Sequence, residues 1–301
     1  MKKDFLSIWD FTTEKIYQIF ELANRLRKVM KNGQPFYPLK GKNIALIFEK
    51  PSTRTRVSFE VAINQLGANS IFLSTQDIHL GKSESLEDTA RVLSRYVQGV
   101  IIRTFEHERL VRFASIAGIP VINALSDLLH PCQAMADFYT LWLKKDLKKI
   151  KLAWVGDGNN VCHSLILGAA RLGVNMVVST PEKYQPEPSI VEKAQDAGGK
   201  IEIISQPREA VRGADVVYTD VWVSMGQEQE KEEKEKIFQE YQVNPSLLKL
   251  AKPDVVVMHC LPAHRGKEIT DEVMDGKNSI VWEQAENRLH IQRAILIEIM
   301  S

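Results

Sequence analysis

The sequence predicts an α/β protein made of two doubly wound parallel-sheet domains. Three observations predict it. Short apolar runs alternate with amphipathic segments over residues 43–123 and again over 151–259, and strands that alternate with helices pair in parallel through crossovers. A long helical stretch at residues 133–145, followed by a basic run at 144–151, separates the two series. The chain has 301 residues, and at ~100–200 residues per domain that length suits two. No sequence repeat links the halves.

In the first half, residues 12–30 carry Ile16, Ile19, Phe20, Ala23 and Leu26 at helical spacing, with Thr12 or Thr13 to cap the start. Residues 43–48 form a short strand of buried type after a turn at Gly41. Residues 56–66 read as a helix stopped by Gly67, and 69–73 as a strand. Residues 85–97 read as a helix with Ser85 and Asp88 in capping-box spacing. A strand over 99–102 ends at Arg103, a helix over 108–117 is closed by Gly118, and a strand covers 120–123. In the second half strands are expected over 151–155, 175–179, 200–204, 216–219 and 255–259. Helices are expected over 162–172, 189–197 and 207–211, with a last one over 285–300. Residues 227–240 are densely charged with both signs, the pattern of a solvated helix or loop.

Composition narrows the function classes. Lys plus Arg is 39 and Asp plus Glu is 38, so no bulk charge argues for nucleic acid or an anionic membrane. Any anion site is local. No run approaches the ~20 apolar residues of a membrane span. Three cysteines cannot all pair, and the first ten residues lack the apolar core of a signal peptide. A reducing cytoplasm is the expected compartment.

Ligands of open parallel sheets sit at the carboxyl ends of strands, and the polar groups of this chain gather there. Ser52-Thr53-Arg54-Thr55-Arg56 follows the first strand, Arg103 ends the third, and His130-Pro131-Cys132-Gln133 follows the fourth. Gly156-Asp157-Gly158-Asn159-Asn160, then Asp220 with Ser224-Met225-Gly226, and finally His259-Cys260-Leu261-Pro262 follow strands of the second half. Hydroxyls and guanidiniums at a helix N-terminus, whose free N–H groups carry about half a positive charge, make a phosphate cradle. It is not a Walker A loop, because the glycines and the Gly-Lys-Ser/Thr ending are missing. The Gly156–Gly158 stretch fails the dinucleotide fingerprint because position 161 is Val. His259, Cys260 and His264 lack the spacing of a structural zinc site, so zinc is not expected there.

Taken together, Ser52-Thr53-Arg54-Thr55, His130-Pro131-Cys132-Gln133, Asp220 with Ser224-Met225-Gly226, and His259-Cys260-Leu261-Pro262 resemble the motifs of the transcarbamylases. Within that family the last two resemble the ornithine-specific branch. The resemblance covers nearly the whole chain, in order. It implies a carbamoyl phosphate-binding domain over residues 1–134 joined by the last helix, 285–301, and an ornithine-binding domain over 148–284. It implies a homotrimer, in some members a higher assembly of trimers, that makes L-citrulline and phosphate from carbamoyl phosphate and L-ornithine in arginine metabolism, with no metal or organic cofactor.

By matching position, the resemblance implies that Ser52, Arg54, Thr55 and the Thr53 backbone hold the phosphate. Arg103 bridges phosphate and carbonyl, and His130 polarises the carbonyl. Gln133 with the carbonyls of Cys260 and Leu261 takes the carbamoyl NH₂, and Arg288 completes the anion site. His79 is the position that reaches in from a neighbouring subunit. Asn160, Asp220, Ser224 and Met225 bind the amino acid. An ammonium of pKa ~10.4 must lose its proton before it attacks, and Cys260 with Asp220 is the candidate acceptor or orienter. The charged segment after Gly226 suits a flap. A nicotinamide dehydrogenase and a non-catalytic sensor are the rival classes, disfavoured by the missing glycine and by the filled catalytic positions.

Overall fold

The computed structural model describes residues 3–74, 84–223 and 228–301. The chain divides into two compact units, Met1–Ala136 with Asn287–Ser301, and Asp137–Glu286.

The first unit is a four-stranded parallel sheet in the order β2-β1-β3-β4. Its strands are β1 (Asn43–Phe48), β2 (Asn69–Ser74), β3 (Gly99–Arg103) and β4 (Val121–Leu125). Its helices are α1 (Thr13–Lys31), α2 (Thr53–Gln65), α3 (Leu86–Tyr96) and α4 (His107–Ile116), and α5 (Pro131–Trp142) starts in this unit and continues from Asp137 in the second. Registers run Ile44 to Gly99 and Val100 to Val121. Every residue of β3 and β4 is buried, as expected of strands covered on both faces. Ala45, Ile47, Val100, Ile102, Leu110 and Phe113 make the core on one side of the sheet.

The second unit holds a five-stranded parallel sheet in the order β7-β6-β5-β8-β9. Its strands are β5 (Lys151–Val155), β6 (Asn175–Ser179), β7 (Ile201–Ile204), β8 (Val216–Thr219) and β9 (Val256–His259). Around it lie α6 (Asn160–Leu172), α7 (Pro188–Asp196), α8 (Pro207–Val211), α9 (Lys231–Ile237), α10 (Pro245–Leu248) and α11 (Asp271–Met274). The last helix, α12 (Val281–Met300), belongs from Asn287 onward to the first unit. There Arg293 Nε donates to Gln65 Oε1 at 2.8 Å, Lys42 donates to the Met300 carbonyl, and Glu298 pairs with Lys3 and Lys15.

Both strand orders reverse once, between β1 and β3 and between β5 and β8. A reversal sends the flanking crossovers to opposite faces and leaves a crevice at the strand tips. The residues following β1 and β3, and those following β5 and β8, are four of the polar clusters singled out above.

Three of the differences from the sequence expectation matter most here. Helix α2 begins at Thr53, three residues earlier than expected, because Ser52 caps it by accepting the Thr55 N–H. Helix α12 begins at Val281 rather than 285. The charged stretch 227–240 is not simply solvated: among its described residues it contains α9, and Lys234 within α9 is buried.

The loop after β5 is tightly enclosed. Gly158 N–H donates to the Tyr184 carbonyl at 2.9 Å, and a Cβ on Gly158 would lie 2.3 Å from Pro186 N and 2.5 Å from Gln185 C. Those atoms are backbone and cannot swing aside. Gly158→Ala is therefore expected to destabilise by at least ~1–3 kcal/mol, whereas Gly118→Ala, whose Cβ meets nothing nearer than 3.8 Å, should change stability by under about 1 kcal/mol. Urea unfolding compares the two, and equal midpoints would contradict the packing argument.

Candidate active site

In the first unit the site begins at the tip of β1. Ser52 is extended, and its hydroxyl oxygen accepts the Thr55 N–H at 3.2 Å. The N–H groups of Thr53 and Arg54 then have no intrahelical acceptor, and they sit at the positive end of the helix dipole. Thr53 and Arg54 are exposed, whereas Thr55 is buried. Arg56 leaves this group. It pairs with Glu60 at 3.0 Å and lies over the Phe72 ring, 3.5 Å from its centroid.

Thr55 Oγ1 accepts from Arg288 Nη2 at 3.4 Å, and Arg288 Nη1 donates to Gln133 Oε1. One guanidinium from α12 thus joins α2 to the first turn of α5. Arg103, His130, Gln133 and Arg288 are all buried. Glu49 fastens the two central strand tips together. Its N–H donates to the Arg103 carbonyl at 2.8 Å, while its carboxylate accepts from the Thr104 hydroxyl and the Phe105 N–H and pairs with Arg109.

His130 responds to this environment. Burial holds its pKa well below the ordinary 6.5, and the positive charges of Arg288, Arg103 and Arg54, in that order, add to the depression. A neutral imidazole among three guanidiniums can donate a hydrogen bond to a carbonyl oxygen, while the guanidiniums favour a dianion. Cys132, two residues on, takes no part. Burial pushes its thiol up to about 12 against the opposing charge of Arg288.

The second unit supplies a group of opposite character. Asn159 caps α6, its Oδ1 accepting from the N–H groups of Val161 and Cys162. Its amide nitrogen donates to Asp220 Oδ2 at 2.8 Å. The other oxygen of Asp220 accepts from the Cys260 thiol at 2.9 Å. Asp220 is buried and Cys260 half-buried. The thiol is the donor of that bond and the carboxylate oxygen its acceptor.

Leu261 follows with φ of 62°, a left-handed conformation uncommon for a branched residue. Its N–H donates to His259 Nδ1 at 2.9 Å. That bond makes Nδ1 an acceptor, so the ring proton sits on Nε2, which faces Glu268 Oε1 at 3.2 Å. The His259 N–H in turn donates to Gln284, whose amide donates to Asp137 at 2.7 Å.

Among the described residues Asp220, His259 and Cys260 have ligand atoms within 4.8 Å of one another and could by composition hold a metal ion. Both ring nitrogens of His259 are committed, however, so the donor set does not suit one.

Of the residues expected from the sequence, Thr55, Arg54, Arg103, His130, Gln133 and Arg288 come together in the first unit, with Ser52 and Thr53 at the same helix start. Asp220 and Cys260 touch in the second, Leu261 follows Cys260 directly, and Asn160 opens α6. His79, Ser224 and Met225 lie outside the described residues. The sequence reading missed Asn159. Its signal was present, since an asparagine directly before an apolar helical run is a cap candidate.

Comparison with known proteins bears on this geometry. Residues 3–142 match the carbamoyl-P binding domain of aspartate/ornithine carbamoyltransferase, and residues 148–299 match the Asp/Orn binding domain. The chain belongs to the aspartate/ornithine carbamoyltransferase family. It is 55% identical over 299 residues to the ornithine carbamoyltransferase of Archaeoglobus fulgidus, spanning 99% of this chain and 97% of that protein. It is 51% identical to the anabolic ornithine carbamoyltransferase of Pyrococcus furiosus, spanning 99% and 96%. The solved Pyrococcus furiosus ornithine carbamoyltransferase superposes with a TM-score of 0.95, covering 99% of this chain and 97% of that one. The anabolic ornithine carbamoyltransferase of Campylobacter jejuni, at 39% identity, superposes with a TM-score of 0.93, covering 99% and 98%.

The depressed pKa of His130 has a consequence for stability. In the unfolded chain the imidazole binds a proton below about pH 6.5, while the folded chain refuses it until lower pH, so folding stability falls as pH drops below that value. Replacing His130 by Gln removes this contribution. The stability difference between His130→Gln and wild type should shift steadily in favour of the variant from pH 6.5 to 5, measured by urea unfolding at each pH. A constant difference would mean that His130 titrates normally.

Proposed function

We propose that the chain transfers the carbamoyl group of carbamoyl phosphate to the δ-amino group of L-ornithine, giving L-citrulline and phosphate. The observation that carries the proposal is the convergence of Arg54, Arg103 and Arg288 on the buried, neutral His130. Carbamoyl phosphate presents a dianion and a carbonyl a few ångströms apart, and this group offers guanidiniums and an imidazole donor for both.

The phosphate sits on the Thr53 and Arg54 N–H groups and the hydroxyls of Ser52 and Thr55. Arg103 spans phosphate and carbonyl oxygen, and His130 donates to that oxygen. Gln133 takes the carbamoyl NH₂, together with the Cys260 and Leu261 carbonyls. Arg288, by donating to Gln133 Oε1, sets the amide's orientation and adds positive charge. His79 of a neighbouring subunit completes the anion site in a homotrimer, or in a larger assembly of trimers.

Asn160, Asp220, Ser224 and the Met225 backbone bind ornithine. The δ-ammonium carries no lone pair, and the Asp220–Cys260 pair relieves it of a proton. As the amine proton moves to sulfur, the thiol proton moves along its existing hydrogen bond to Asp220, so the carboxylate is the net base. The freed amine attacks the carbonyl carbon. The resulting oxyanion is held by Arg103, His130 and Thr55, and collapse expels phosphate onto the α2 N-terminus as the attacking nitrogen gives its second proton to an oxygen of the departing phosphate. Alignment of the two reactants supplies much of the remaining rate. Asp220 also speaks against aspartate as acceptor, since the substrate's second carboxylate would meet a like charge. No organic cofactor or metal enters these steps. A cytoplasmic location suits the three free thiols.

Citrulline formation from carbamoyl phosphate and L-ornithine tests the proposal, with aspartate, N-acetylornithine, putrescine and lysine as competing acceptors. Ornithine should be the preferred acceptor, and none of the five reacting would refute the reading. Arg103→Leu should lower kcat by about 10²–10³-fold, the cost of one oxyanion donor. Asp220→Asn should lower kcat by about 10²–10⁴-fold, the range for a lost general base. Near-wild-type turnover in either variant would remove that residue from the mechanism.

A further inference from the structure

Helix α9 has the sequence KEEKEKI, and its surroundings do not match that composition. Lys231, Glu232, Glu233 and Lys236 are exposed, yet the side chain of Lys234 is only 1% exposed. Its ammonium lies 2.8 Å from Asp157 Oδ2 and 4.8 Å from the centroid of the Tyr184 ring. Burying a flexible, strongly hydrated ammonium is costly unless a partner receives it. Solubility does not require it either, since the helix has charge to spare.

Asp157 shows what the burial accomplishes. It lies in the loop that links β5 to α6, two residues before Asn159. Its carbonyl accepts from Trp154 Nε1 at 3.1 Å and from the Asn159 N–H at 2.8 Å. Gly158 between them is sealed against residues 184–186. Asp157 is buried and close enough to Asp220 to feel its charge. Left alone, a second buried carboxylate here would repel Asp220. The next residues fix α9 itself, because Phe238 packs against Tyr184, Trp222 and Tyr241 at centroid distances of 5.2, 6.0 and 5.5 Å.

Resting on the proposed reaction, we infer that Lys234 is a positioning residue for the amino-acid half of the site. It neutralises Asp157 and fixes the Gly156–Asn160 loop in the place from which Asn159 holds Asp220 and Asn160 faces the substrate. Lys234 touches neither substrate. It acts through one ion pair, one loop and one amide–carboxylate bond.

The test uses the full-length chain. Lys234→Met alone strands a buried carboxylate and is expected to fold poorly, so the informative variant is Lys234→Met/Asp157→Asn, which removes both charges. The KM for ornithine should rise about tenfold or more while the KM for carbamoyl phosphate stays within about twofold, the split expected when only one substrate's half-site is disturbed. Lys234→Arg, which keeps the charge, should remain within about threefold of wild type for both. Wild-type kinetics in the double variant, or equal changes in both KM values, would overturn the inference. Amide exchange gives a readout that needs no turnover. Residues 156–160 should exchange about tenfold faster in the double variant, as expected of a loop that has lost its anchor, and unchanged exchange would overturn the inference. If the wild-type chain makes no citrulline, the reaction assigned above falls, and amide exchange alone still decides the role of Lys234.

Discussion

The structure of the first unit depends on one constraint: guanidiniums from three different elements have to be held around one buried imidazole. Like charges at such distances repel, and the protein holds them by anchoring each from a different element. Arg54 rides on the first turn of α2, Arg103 on the tip of β3, and Arg288 on α12. The return of α12 to the first unit is therefore more than packing, because it delivers the guanidinium that joins Thr55 to Gln133. The positive charge gathered there suits a dianionic substrate, and the same charge helps keep His130 neutral and thus a hydrogen-bond donor.

The second unit is built on the opposite sign. A buried carboxylate holds a thiol, and an asparagine holds the carboxylate. A substrate that arrives as a cation and has to leave as a neutral amide needs such a group, since it must give up a proton before it reacts. The near-balance of 39 basic and 38 acidic residues conceals this division, which exists only at the strand tips. The buried Lys234–Asp157 pair belongs to the same economy of charge, cancelling a carboxylate that would otherwise compete with Asp220.

Much of this was legible in the sequence, for physical reasons that differ between elements. Buried parallel strands are short apolar runs, so β1, β5, β6 and β8 have the bounds that their side chains predict. Polar groups clustered after those runs pointed to the tips, because parallel sheets place their ligands there. Helix starts were harder. The apolar period of α2 becomes visible only after Arg56, but the start is set by the Ser52 cap. Asn159 and Asn160 are adjacent and chemically identical, and only the geometry shows that Asn159 both caps α6 and reaches Asp220. Lys234 was illegible because burial in a charged helix is decided by a partner 77 residues away. The four-residue helices α10 and α11 are too short to show a period.

The central claim is that each substrate is gripped by its own set of strand-tip side chains, one set positive and one negative. A crystal structure with a phosphonoacetyl derivative of L-ornithine, which joins mimics of both substrates in one molecule, tests it most directly. The phosphonate should rest on the Ser52–Thr55 helix start with Arg54 and Arg103 on its oxygens, and the amino-acid end should meet Asn160 and Asp220. A phosphonate bound away from that helix start, or an amino-acid end that avoids Asp220, would contradict the assignment of both halves.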